Sequence, residues 1–90
     1  MSEPVYCRAT DLLEAEVGDE LVALDAEQGT CFGFNSVATS VWRALREPRS
    51  FDALRDALLE EYSVTPEQCT SDLRDLLGEM EHRGLIRPTS

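Results

Sequence analysis

Little in this sequence points to covalent chemistry. It holds one histidine, His82, and three cysteines, Cys7, Cys31 and Cys69, none of them spaced as a CxxC pair. A closed zinc site takes four nitrogen or sulfur ligands grouped at short spacings, and this set does not supply them. The odd cysteine count suits a reducing compartment where thiols stay free, and Cys69 reads as core filler. No glycine-rich phosphate loop, nucleophile–base motif or metal-ligand cluster occurs, so neither catalysis nor a cofactor is expected. Long apolar runs are missing as well, and a bilayer needs about 20 such residues in succession. The N-terminus lacks the basic start and apolar stretch of a secretory signal, which predicts a cytoplasmic protein with no membrane partner. Basic charge is scarce: 8 Lys and Arg against 18 Asp and Glu leave a net charge of −10. That field repels phosphate backbones and anionic lipid and attracts cationic segments, although solvation explains most of the individual acids.

What the sequence does contain is a change of period. Ninety residues make one domain, 1–90, because so short a chain cannot divide its core in two, and residues 1–10 are expected to lack order. Leu12 to Val17 and Leu21 to Asp25 read as strands joined by a turn at Gly18-Asp19. Ala26 to Gly29 supplies a second turn, and Thr30-Cys31-Phe32-Gly33-Phe34 is rich in β-formers. Beyond Phe34 the apolar spacing becomes helical. Asn35 or Ser36 caps a helix with Val37, Ala38, Val41, Trp42 and Leu45 on one face, ended by Pro48. Ser50 caps a second helix, with Phe51, Leu54, Leu58 and Leu59 inward. Thr65-Pro66-Glu67-Gln68 opens a third with a capping residue, a proline at the first position and a glutamine placed to close a capping box. That helix carries Cys69, Leu73, Leu76, Leu77 and Met80 on one stripe and stops at Gly84, after which Leu85 and Ile86 fold back onto the core. The expected fold is α+β, a small winged helix-turn-helix-like domain with a three-stranded antiparallel sheet followed by three helices.

Residues 21 to 45 also resemble a known family. A strand Leu21-Val22-Ala23-Leu24-Asp25, then Gly29-Thr30-Cys31-Phe32-Gly33-Phe34-Asn35, then Val37, Ala38, Val41, Trp42 and Leu45 are similar to the PqqD-like pattern. Phe51-Asp52, Leu54, Glu61-Tyr62, Asp72-Leu73 and Gly84-Leu85-Ile86 continue the likeness. Cys31 stands where relatives often carry tyrosine, and Phe34 where an aliphatic residue is usual. The resemblance implies a non-catalytic recognition element that binds the leader of a ribosomally made precursor peptide, in lasso or related peptide biosynthesis. The leader would add as a strand to the free edge of the third strand and lie beside the third helix. It also implies a modifying enzyme of the same pathway, such as a leader peptidase, as a partner. The alternative within the family is a peptide chaperone for a radical enzyme in pyrroloquinoline quinone biosynthesis.

The residues give that implication a physical basis. The last strand of a meander has one partner, so its outer N–H and C=O groups can template an extended peptide. Thr30, Cys31, Phe32, Gly33 and Phe34 are the expected edge, with Gly33 leaving room for a second backbone. The Phe32 and Phe34 rings themselves read as core. Selectivity falls to the third helix, where Leu73, Leu76 and Met80 form a stripe flanked by Asp72, Asp75 and Glu79. A leader side chain seats on the stripe and a leader cation meets one or two of the acids, the rest forming a solvated face. Trp42 reads as core. A winged-helix DNA-binding protein is the further alternative, and charge argues against it, because Glu67, Asp72, Asp75, Glu79 and Glu81 face only Arg74 and Arg83 on the would-be recognition helix.

Overall fold

Left-handed glycines make both turns of the sheet. Gly18 (φ 65°) and Gly29 (φ 69°) occupy backbone that other L-residues avoid. The second turn is fixed further by Asp25, whose carboxylate accepts from the backbone N–H groups of Glu27 and Gln28 at 3.0 and 3.2 Å. Along the computed structural model, which describes residues 4–89, the elements are β1 (Val5–Arg8), β2 (Leu13–Val17), β3 (Glu20–Asp25), β4 (Thr30–Phe34), α1 (Ser36–Ala44), β5 (Arg49–Ser50), α2 (Phe51–Glu61), α3 (Pro66–His82) and β6 (Ile86–Thr89). Strands β2, β3 and β4 form the expected antiparallel meander. Its register sets Leu21 opposite Phe34 and Ala23 opposite Phe32, and Leu21, Ala23 and Phe34 are buried against the helices.

Each helix starts on a side-chain cap. Asn35 accepts from the Ala38 N–H at 2.9 Å, Ser50 from Ala53 at 3.0 Å and Thr65 from Gln68 at 3.1 Å. The capping box expected at α3 is only half made. The Gln68 side chain turns away from the cap and donates to Asp72 at 2.8 Å. At the far end Gly84 (φ 77°) reverses the chain, the Leu85 N–H returns to the Met80 carbonyl at 2.9 Å, and Leu85 and Ile86 are buried.

A second sheet, absent from the sequence reading, ties the termini together in the order β5-β1-β6. Residues 1–10 are not uniformly without order: Val5–Arg8 form β1, paired along its length with β6, from Val5 opposite Thr89 to Arg8 opposite Ile86. Residues 1–3 lie outside the described residues. Arg8 then reaches the main body. Its guanidinium donates to the Trp42 carbonyl at 2.6 and 3.2 Å and lies 4.1 Å from the indole centroid. Burial lowers the pKa of Arg8, and the neighbouring Glu14 opposes that shift. Trp42 is fully buried, as expected of core, and donates its indole N–H to Glu14 at 3.0 Å.

Candidate peptide-binding groove

Strand β4 pairs with β3 on one side, and among the described residues no strand covers its other edge. The adjoining hollow is a cleft of about 240 Å³ with β4 as one wall and α3 as the other, lined by Cys31 to Asn35, Ala38, Leu76, Glu79, Met80, Arg83 and Leu85. Its base is apolar: Phe34, Ala38, Met80 and Leu85 are core residues whose surfaces reach the cleft, while Phe32 and Leu76 are half-buried. Such partial exposure is what an apolar side chain from outside can still cover. At the mouth, Arg83 and Glu79 form an exposed ion pair at 3.0 Å one helical turn apart. The cleft therefore offers an unpaired main-chain edge, an apolar base and one ion pair at its rim. Val37, Leu58, Tyr62, Val64, Cys69, Asp72 and Leu73 line a separate, smaller hollow of about 90 Å³. Burial raises the pKa of the Cys69 thiol there, which keeps it protonated and unreactive at neutral pH.

The family model described as coenzyme PQQ synthesis protein D (PqqD) matches residues 20–86. This chain belongs to the PqqD family. A solved structure described as TbiB1 in complex with the TbiA(beta) leader peptide is similar to it, with a TM-score of 0.80 and 30% sequence identity over 93% of this chain and 98% of that one. No curated protein matches the chain. The PqqD match takes in both walls of the groove, β4 and α3, and leaves β1 and β2 outside it.

Of the residues that the sequence suggested for this PqqD-family groove, the structure brings Cys31, Phe32, Gly33, Phe34, Leu76, Glu79 and Met80 around one cleft. Thr30 sits past its end, beside Arg83, Gly84 and Leu85. Leu73 is 1% exposed and belongs to the core, and Asp72 lies with it on the smaller hollow, engaged by Gln68. Asp75 is exposed and lines neither hollow. The space beside Gly33 is open, since a Cβ built there meets nothing within 4 Å. Sequence reasoning passed over Asn35, Ala38, Arg83 and Leu85. Arg83 was within reach, because it follows Leu76 by seven residues and Glu79 by four and so shares their face. Leu85 and Asn35 lie at element ends, and no period marks an element end as a wall of a cleft.

Proposed function

We propose that this chain is a non-catalytic recognition element. It holds the leader segment of a ribosomally made precursor peptide by adding it as a strand to the free edge of β4, with apolar leader side chains seated against Leu76, Phe32 and Met80. The observation that carries this reading is the β4 edge, uncovered among the described residues, running directly beside a cleft with an apolar base and an ion pair at its rim. An extended peptide there gains main-chain hydrogen bonds from the edge and selectivity from the cleft. Membership of the PqqD family and the likeness to a domain solved with a leader peptide support it. The precursor we assign is of the lasso or related class, in the cytoplasm, and the enzyme that modifies it is the second partner. The genes beside this one check the class: a leader peptidase with an ATP-dependent cyclase supports it, and a radical enzyme points instead to quinone cofactor synthesis.

Titrating the domain into a fluorescently labelled leader tests the reading. The expected Kd is on the order of micromolar or tighter, about −8 kcal/mol, with no turnover of the precursor by the domain alone. No anisotropy change at roughly tens of micromolar domain rejects it.

A further inference from the structure

Strand β2 carries its alternation in reverse. A sheet with one wet face normally turns apolar side chains inward and polar ones out. Here Glu14 and Glu16 turn toward α1, where Glu14 accepts from Trp42 at 3.0 Å and meets Arg8 at 3.5 Å, and Glu16 pairs with Arg43. Leu13, Ala15 and Val17 consequently point away from the core. The register places Leu13 in line with Leu24 and Cys31, and Ala15 in line with Val22 and Gly33. Leu13 and Val17 are 64% and 63% exposed, and Val22 and Leu24 are 38% and 37%. Among the outward positions of these three strands, Glu20 alone bears a charge. A contiguous apolar face on a chain of net charge −10 is a surface made for a protein partner.

The place of this face in the sheet indicates which partner. Its last strand is β4, the same strand whose other edge borders the groove, so a leader strand added to β4 extends the face with its own outward side chains. We propose that this outer sheet face docks the enzyme that acts on the bound precursor, an inference that rests on the leader-binding reading above. A protein seated there touches Leu13, Val22 and Leu24 of the domain and the bound leader at once, and so engages loaded domain in preference to empty domain. Asp19 and Glu20 border Val17, so the fitting partner has an apolar patch with a basic rim. A second copy of this chain fits poorly, because each copy carries −10 and the same acidic border.

The test replaces Leu13, Val22 and Leu24 together by threonine, a β-former that keeps the strands while removing the apolar surface. A thermal melt verifies folding, and the single variant Leu24→Thr takes its place if the triple variant melts early. The readouts are anisotropy of labelled leader and cleavage of full-length precursor by the purified leader peptidase of the same pathway, at limiting domain. The expected result is leader affinity within about twofold of the parent and a kcat/KM for cleavage lowered roughly tenfold or more. Equal cleavage by parent and variant overturns the proposal. So does a parent dimer in sedimentation equilibrium that the variant splits, which would assign the face to a second copy. If the parent itself fails to bind leader, the leader-binding reading falls and takes this inference with it, an outcome that the anisotropy arm distinguishes from the other two.

Discussion

Leu73 and Leu76 lie three residues apart on α3 and should respond oppositely to truncation. Leu73 is 1% exposed within the core, whereas Leu76 is half-buried and faces the cleft. Leu73→Ala leaves a cavity and should cost about 2–5 kcal/mol of stability. Leu76→Ala should cost less than ~1 kcal/mol of stability yet weaken leader binding by about 1–2 kcal/mol, because it removes an anchor from the cleft. Thermal melts and anisotropy titrations of both variants check this, and a large drop in melting temperature for Leu76→Ala would move that residue from the site into the core. The sequence put both leucines on one stripe, and a stripe of helical period cannot say which of its members stops short of full burial. That depends on which members of the stripe border the cleft beside β4, a tertiary fact. The same limit applies to the acids, since Asp72, Asp75 and Glu79 look alike in sequence but one meets Gln68, one is solvated and one pairs with Arg83 at the groove mouth.

Among the elements, α3 matters most, because one helix supplies an entire wall of the groove. Its start depends on Thr65, and Thr65→Ala should cost about 1 kcal/mol, which for a domain of this size lowers Tm by roughly 4–8 °C. Leader affinity well below the melt should be unchanged, since Thr65 lies at the opposite end of α3 from Glu79, Met80 and Arg83. Paired melts and titrations separate the two effects. The meander and the three helices were legible because their signals are local: glycines at turns, caps at helix starts and a period that changes after Phe34. Strands β1, β5 and β6 were not legible. β5 has two residues, β6 contains Pro88, and the pairing of Val5 with Thr89 joins the two ends of the chain. Nothing within a short window of sequence encodes such a partnership. β2 was legible as a strand but not as to face, since the alternation of Leu13, Ala15 and Val17 fits core packing equally well until Glu14 and Glu16 are seen to be engaged by Trp42 and Arg43.

For the molecule as a whole, charge and edge make separate predictions. A net charge of −10 draws a basic leader in from a distance. Raising salt from about 0.05 to 0.5 M shortens the screening length and should slow association several-fold while leaving dissociation nearly unchanged, because strand pairing and apolar contact govern release. Stopped-flow rates across that range check it, and an association rate indifferent to salt would show that the acids only solvate the surface. Changing Glu79 alone to Gln should leave most of the salt slope, since that carboxylate already faces Arg83. A leader that becomes the fourth strand of the meander, beside β4, must cover the amides of that strand's outer edge. Amide hydrogen exchange of the domain with and without leader reads this out, because among the described residues the sheet has a second open edge at β2 that serves as an internal control. Amides within Thr30–Phe34 should gain protection on adding leader while those of Leu13–Val17 do not; protection gained at Leu13–Val17, or none at Thr30–Phe34 under saturating leader, would rule out strand addition at β4.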